Sequence, residues 1–235
     1  MDVVAEHGLT EDTVLAGTGL SPTDVRDPHA LTSIRQYLTA CENVVRAGVD
    51  LRVAYEVGAR LHLSAYGMYG YALMCSPTMR DFFDFAVRYH PLATPIQQLG
   101  WRQEGDRAIW TFTEIYGDLM SHDLRNFLLR QQMMMTSTHM RDVVGADTRP
   151  LQAHFGLADV GRTAADEAEL GCPCHFGRPA HELHFPANIL DQAPELANRL
   201  TRAMLEDTCD RLVGQAKMTS GVAGDVYQLL MLAPN

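Results

Sequence analysis

The sequence predicts an α+β fold, in which mixed helices pack with a small antiparallel sheet in a single domain. Three observations support this class. Apolar residues recur at helical spacing in several segments, the spacing changes to strict alternation after Pro95, and helices and hairpins follow one another without a regular β-α-β order. With 235 residues, 46% of them hydrophobic, the chain is long enough to bury a sizeable core.

The first part of the chain is predicted to be helical. Residues 1–30 contain turn and cap signals that favour short helices. A firmer helix is expected over 31–47, ending at Gly48, and a second helix over 51–60. The 31–47 segment has one apolar face, which is formed by Leu31, Ile34, Leu38, Cys41 and Val45.

Residues 66–91, "YGMYGYALMCSPTMRDFFDFAVRYHP", form the most patterned stretch. Ser76 and Pro77 are predicted to cap and begin a helix. Its outer face would pair Asp84 with Arg80 and Arg88, and its inner face is formed by Met79, Phe82, Phe83, Ala86 and Val87. Before it, Gly67 and Gly70 would let a short buried helix pack closely on a neighbour.

Alternating apolar residues after Pro95 predict a β-hairpin. Leu99 and Trp101 share one face of its first strand, and "QEGDR" forms the turn. Ala108, Trp110 and Phe112 share one face of the second strand. The remaining expected elements are a helix over 118–144 that ends at Gly145, a strand in 150–157, a helix over 164–170 capped by Thr163 and Asp166, strands near 172–176 and 182–186, and a helix over 194–216.

Bulk properties exclude several classes of function. A formal net charge of −10 disfavours direct binding to nucleic acid or to an anionic membrane, because such binders concentrate Lys and Arg. The sequence has no apolar run long enough to span a bilayer and no signal peptide at its start. Five scattered cysteines suit a reducing compartment. We therefore expect a cytoplasmic protein with no membrane partner.

The segment "CPCH" is the most tempting candidate for a chemical site, since Cys172, Cys174 and His175 are metal-ligand types. The C-x-C spacing places both cysteines on one face of a strand and His175 on the other, so we expect neither a metal nor another cofactor. The chain also lacks G-x-S-x-G, H-E-x-x-H, a P-loop and G-x-G-x-x-G. We therefore expect that the protein is not an enzyme. Two alternatives remain: a metal or redox sensor that uses Cys172 and Cys174, and a small stand-alone enzyme.

Several blocks, in order, resemble the N-terminal regulatory domain of AraC/XylS-type transcription regulators, in the branch of ornithine-utilisation and VirS-like regulators. The similarity runs through nearly the whole chain. Three positions depart from the pattern: Cys75, Cys174 and Tyr69. The matching residues are Gly67, Gly70-Tyr71-Ala72, Ser76-Pro77-Thr78, Arg88-Tyr89, Gly171-Cys172-Pro173, Phe176, Leu183, Phe185 and Leu190.

The resemblance implies a sensor domain that binds a small-molecule effector and forms a homodimer. In such regulators a helix-turn-helix module follows and contacts DNA. We accordingly expect residues 1–218 to form the regulatory domain, and residues 219–235 to be a linker and the start of a DNA-binding domain absent from this chain. Any contact with DNA would be made through that missing domain.

Two groups of site residues are predicted. An apolar effector pocket between the hairpin and the helices is expected, with candidate contacts Tyr66, Tyr71, Phe83, Arg88, Trp101, Trp110, Phe112, Met134 and Met135. The helix over 194–216 is the candidate dimer contact. Its two apolar rows cover either a partner or the domain's own core, and consist of Leu196, Leu200, Met204, Leu205, Cys209 and Leu212.

Overall fold

The computed structural model describes residues 1–27, 30, 32–93 and 96–218, with side chains through residue 213. The predicted linker over 219–235, and Leu31 and Pro95, lie outside the described residues. The predicted α+β class is confirmed. The helices are α1 (Asp2–Glu6), α2 (Glu11–Leu15), α3 (Pro22–Arg26), α4 (Ile34–Arg46), α5 (Arg52–Arg60), α6 (Gly67–Met74), α7 (Met79–Tyr89), α8 (His122–Val144), α9 (Thr163–Leu170) and α10 (Arg199–Met218).

The strands form one five-stranded sheet in the order β1-β2-β5-β3-β4. The predicted hairpin is confirmed: β1 and β2 pair antiparallel, with Trp101 opposite Trp110. Among the strands of the described residues, only the short β3–β4 pair is parallel. The strands are β1 (Gln97–Glu104), β2 (Arg107–Glu114), β3 (Gln152–His154), β4 (Cys174–His175) and β5 (His181–Pro186).

The apolar residues form two cores on either side of α8. The larger core lies between one face of the sheet and the helices α6, α7 and α10. The smaller core joins the N-terminal helices to α5 and the first turns of α8. Because α8 passes between both cores, most of its side chains are buried. The buried residues include polar ones such as Arg130 and Gln132. No helix within the described ranges combines the length and apolar composition needed to cross a bilayer.

The predicted cap of α7 is wrong by two residues. Thr78 is the cap, and its hydroxyl accepts a hydrogen bond from the Asp81 N–H at 3.2 Å. Ser76 is fully buried instead, and its hydroxyl donates to the Ala72 carbonyl at 3.3 Å. The chain turns after α6 before the next helix can begin, so Pro77 precedes the cap.

The close-packing role predicted for two glycines holds for one of them. A Cβ at Gly70 would lie 1.8 Å from the Leu63 carbonyl oxygen, so α6 requires glycine there to pack on the preceding turn. Gly67 has φ +52°, and a Cβ added there would meet no heavy atom within 4 Å. Glycine is therefore needed at this position for its left-handed backbone at the start of α6, not for close packing.

The outer face of α7 makes different contacts from those predicted. Arg80 donates to Gln103 at 3.0 Å, and Asp84 accepts from the Trp101 indole N–H at 2.8 Å. Arg88 reaches α10 instead of Asp84. The prediction of Asp84 pairs is therefore wrong, because the hairpin and α10 flank this helix and supply nearer partners.

Candidate functional site

An inner cavity lies between the hairpin and the helices, where the sequence predicts a pocket. Its volume is about 20 Å³, which is room for roughly one water molecule. The cavity is therefore closed in this structure, and a ligand could enter only if side chains moved. It is lined by Tyr66, Tyr69, Leu73, Phe82, Ala86, His90, Ala93, Leu99, Trp110, Gln132, Met135, Thr136, His139 and Met140.

Two uncharged polar groups in the wall of this cavity could orient a ligand. The indole N–H of Trp110 is buried and has no acceptor among the described residues, and such a group costs stability until it is paired. Burial lowers the pKa of His139 to about 4, so this imidazole is neutral at pH 7 and its Nε2 hydrogen-bonds the Leu61 carbonyl at 3.0 Å.

A larger groove lies between the N-terminal helices, α5 and α8. Its volume is about 490 Å³, within the range of small-molecule sites. Its described lining contains no Asp, Glu, Lys or Arg. The lining residues are Met1, Val4, Val14, Leu15, Leu20, Val25, Thr32, Ser33, Ile34, Gln36, Tyr37, Ala40, Cys41, Val44, Val57, Leu61, Tyr66, Ala93, Ile96, Phe127 and Gln131.

The polar groups of the groove are also uncharged. Gln131 donates to the Tyr37 hydroxyl at 3.2 Å. Burial raises the pKa of the Cys41 thiol to about 12 and raises the pKa of Tyr37 as well. At pH 7 the thiol and the phenol are therefore uncharged, and the other polar side chains of the described lining include the hydroxyls of Thr32 and Ser33 and the amides of Gln36 and Gln131.

Tyr66 separates the two cavities. It lines both of them, as does Ala93. The Tyr66 hydroxyl donates to the Met135 sulfur at 2.7 Å, and its ring meets the edge of the His139 ring at a centroid distance of 5.4 Å. Tyr66 is therefore a side chain that both cavities share, and its partner Met135 is flexible.

Three of the predicted ligand contacts lie at the inner cavity: Tyr66, Trp110 and Met135. Four other predicted contacts do not line the cavity but pack next to the residues that do. Phe83 stacks on Trp110 at 4.2 Å and contacts Trp101 edge-on at 5.2 Å, so these rings hold Trp110 in place. Buried Phe112 and Met134 belong to the same core.

Tyr71 and Arg88 lie outside both cavities. Tyr71 is 52% exposed on α6. Arg88 is held at the surface by Glu206 and Asp210 of α10. We therefore remove both from the contact set. The sequence analysis missed the groove, because α2, α4 and their connections show only ordinary amphipathic periodicity.

Leu196 precedes α10, which begins at Arg199 and not at the predicted residue 194, and the other residues predicted for the dimer contact fall on two sides of this helix. Leu200 is 74% exposed and Met204 is 65% exposed, and Leu196 and Leu212 are exposed as well. Cys209 is fully buried and Leu205 packs against the larger core. Cys209 and Leu205 therefore serve the domain's own core, because α10 docks on α6 through that side.

Polar contacts join α7 to α10. Arg88 donates to Glu206 at 3.0 Å and to Asp210 at 2.8 Å, and the Tyr89 hydroxyl donates to Asp210 at 2.6 Å. The same helix lines the inner cavity through Phe82 and Ala86. One rigid helix thus connects the cavity wall to the last described helix.

The two cysteines of "CPCH" are buried, and His175 is exposed on the other face of the strand, as the spacing predicts. The hydrogen bond shared with Cys172, together with burial, raises the pKa of the Cys174 thiol. A protonated buried thiol is a poor nucleophile and a poor metal ligand.

Among the described residues, the cluster of metal-ligand side chains lies elsewhere, at His154, Glu182 and His184. The sequence analysis did not identify this cluster.

The chain belongs to the family of arabinose-binding N-terminal domains of AraC transcription regulators, whose sequence profile matches residues 8–193. It is 28% identical over 245 residues to an HTH-type transcriptional regulator of Mycobacterium tuberculosis, and covers 67% of that protein with 97% of its own length. It is 22% identical over 235 residues to the ornithine utilization regulator of Pseudomonas aeruginosa, of which it covers 68%.

A solved structure shows the same fold. The transcriptional regulator CdpR from Pseudomonas aeruginosa superposes with a TM-score of 0.67 at 16% identity, over 86% of this chain and 57% of that protein. The chain therefore spans about two thirds of the length of the two curated regulators and 57% of the length of CdpR. The predicted resemblance to AraC-type regulators is confirmed, and the relatives are regulators of transcription.

Proposed function

We propose that this chain is the effector-sensing and dimerising domain of a cytoplasmic AraC-type regulator, and that it controls a helix-turn-helix domain beyond residue 218. One observation carries the proposal: α7 lines the inner cavity and is also fixed to α10, the helix that leads toward the remaining chain. Residues 1–218 would form the sensor, and DNA would be contacted only by the domain that follows.

The buried part of the effector is expected to be uncharged. The groove and the inner cavity are lined by apolar side chains and neutral polar groups, and a charge moved there would lose its hydration without gaining a partner. An aromatic or aliphatic molecule with one or two hydrogen-bonding groups fits this chemistry. Tyr37, Gln131, His139 and the unpaired Trp110 N–H are among the polar contacts available to it.

The effector would act by shifting a population of conformations. A molecule that occupies the groove and displaces Tyr66 would press on Phe82 and Ala86 of α7. Because Arg88 and Tyr89 bind α10, a small rotation of α7 would change the position of α10. The effector shifts this equilibrium only by its difference in affinity for the two arrangements.

A blocked groove tests the proposal. Ala40 lines the groove on α4, whereas Ala47 is exposed just beyond the same helix. A thermal-shift screen of uncharged aromatic and aliphatic compounds supplies the ligand. We expect Ala40→Trp to abolish the thermal stabilisation that this ligand gives and to lower its affinity at least tenfold. We expect Ala47→Trp to retain both the stabilisation and the affinity. Equal ligand response in both variants would contradict the placement of the site.

The exposed row of α10 is proposed as the dimer contact. We expect Leu200→Glu to convert a dimer of the chain into a monomer, because it places a charge at the centre of a buried apolar contact. Leu119→Glu is the matched control, since Leu119 is also exposed but lies away from α10. Light scattering at tens of micromolar measures both. A wild-type monomer, or a dimer indifferent to Leu200→Glu, would contradict the proposal.

A further inference from the structure

Four polar side chains form a compact square on the sheet, on the face opposite the larger core. In the antiparallel register of β3 and β5, Gln152 lies opposite His184 and His154 lies opposite Glu182. The residues between them on each strand, Ala153 and Leu183, belong to the core. Since successive side chains of a strand alternate in direction, all four polar side chains share the other face.

The two imidazoles converge on one carboxylate oxygen. Glu182 Oε2 lies 3.0 Å from His154 Nδ1 and 2.8 Å from His184 Nε2. The three ligand-type atoms all lie within 4.8 Å of one another. The other carboxylate oxygen, Oε1, is held by Arg102 at 2.8 Å, which fixes the carboxylate with Oε2 directed at both histidines.

We propose that His154 Nδ1, His184 Nε2 and Glu182 Oε2 form a binding site for a divalent transition-metal ion of the zinc class. Imidazole nitrogen and carboxylate oxygen are ligands that zinc accepts. In a tetrahedral zinc site with bonds of about 2.0 Å, neighbouring ligand atoms lie about 3.3 Å apart. The two spacings to Glu182 Oε2, 3.0 and 2.8 Å, need to open by a few tenths of an ångström, and the two histidine ligand atoms, which lie within 4.8 Å of each other, need to approach the same distance. Three protein ligands leave a fourth position for water.

Gln152 supplies the outer partner that metal-binding histidines require. Its amide nitrogen lies 3.0 Å from His154 Nε2 and 3.4 Å from His184 Nδ1, the two ring nitrogens that face away from Glu182. Once a metal takes the inner nitrogens, the outer nitrogens carry the protons. Rotation of the amide then presents its oxygen, which accepts from both rings.

Cationic side chains also surround the site. Arg102 hydrogen-bonds Glu182 Oε1 at 2.8 Å, and Arg107 and Arg178 lie close enough to act electrostatically on His184 and His154. The same arginines repel a dication, so we expect an affinity on the order of micromolar rather than that of a closed structural zinc site.

Metal titration of the purified, chelator-treated chain tests the site without any substitution. We expect one equivalent of Zn²⁺ to bind, and Co²⁺ to give visible d–d bands of a nitrogen- and oxygen-ligated ion without thiolate-to-metal charge transfer. Affinity should fall on acidification as the histidines take up protons. Wild-type chain that binds neither ion would overturn the proposal.

Variants locate the site. We expect His154→Gln/His184→Gln to lose at least 100-fold in zinc affinity, and Gln152→Leu to lose about 10- to 100-fold, with folding checked by circular dichroism. His122→Gln, at an exposed histidine, and Cys172→Ser/Cys174→Ser should bind zinc as the wild type does. Zinc binding that survives the double histidine variant, or that is lost in the cysteine variant, would place the metal elsewhere and overturn the assignment.

Discussion

Replacing Asp166 with alanine is expected to lower the free energy of unfolding by about 3 to 5 kcal/mol. Asp166 is 1% exposed and faces the fully buried guanidinium of Arg130. Its two oxygens accept from Arg130 Nε at 2.9 Å and from Arg130 Nη2 at 2.8 Å, and Oδ1 also accepts from the Tyr55 hydroxyl at 2.9 Å. The variant would leave a buried cation without its counter-charge.

An exposed pair of the same type provides the control. Arg162 and Asp50 form an ion pair at 2.6 Å, with side chains 32% and 56% exposed. Asp50→Ala should cost about 1 to 2 kcal/mol, because solvent screens the exposed pair and the variant also loses the hydrogen bond that Asp50 accepts from the Arg52 N–H at 2.8 Å. Urea unfolding measures both variants. If Asp166→Ala cost no more than Asp50→Ala, the buried pair would not stabilise the junction of α5, α8 and α9.

A triple substitution separates the loss of the pair from the loss of packing. Tyr55→Phe/Arg130→Met/Asp166→Leu removes both charges and the phenol together, so no buried charge is left alone, although buried Asn126 loses the hydrogen bond that its Oδ1 accepts from Arg130 at 2.7 Å. We expect it to be more stable than Asp166→Ala, although it also removes the contact of Arg130 with the Phe155 ring at 5.4 Å. A triple variant as unstable as the single one would indicate that packing, not charge, is the cause.

The same residue shows where sequence analysis fails. Thr163 and Asp166 have the spacing of a helix cap, which is why the sequence predicts that Thr163, together with Asp166, caps the helix over 164–170. The cap position is Arg162, with no side-chain hydrogen bond, and it is Asp159 that accepts from the Thr163 hydroxyl at 2.9 Å. Local spacing cannot reveal that Arg130, which is 36 residues earlier in the chain, lies against this helix.

Elements defined by local patterns are the ones the sequence predicts well. The hairpin follows from period-two alternation and a turn, α4 from its apolar face, and the end of α8 from Gly145. The pairing of β3 with β4 and β5 depends on contacts between distant segments. The histidine and glutamate cluster depends on this pairing, so its members are separated in sequence and no motif marks them.

Acidification is expected to destabilise the chain, with His139 as one identifiable cause. Burial holds the pKa of His139 at about 4, compared with 6.5 for an ordinary histidine. Of the neighbouring groups, Asp142 raises this pKa, and His62 and His90 lower it. Above pH 6.5 the imidazole is neutral in the folded and unfolded chain, so its contribution to stability is complete.

Below pH 6.5 the unfolded chain takes up the proton first, so stability falls as the pH decreases toward 4. The full difference corresponds to about 3 kcal/mol as an upper limit. His139→Gln keeps a donor for the Leu61 carbonyl and removes the titration. We expect urea unfolding of this variant to depend less on pH in that window than the wild type does, whereas His122→Gln, at an exposed histidine, should leave the dependence unchanged. Identical pH profiles for wild type and His139→Gln would contradict a neutral, partly buried His139, and with it the uncharged character of the cavity that this residue lines.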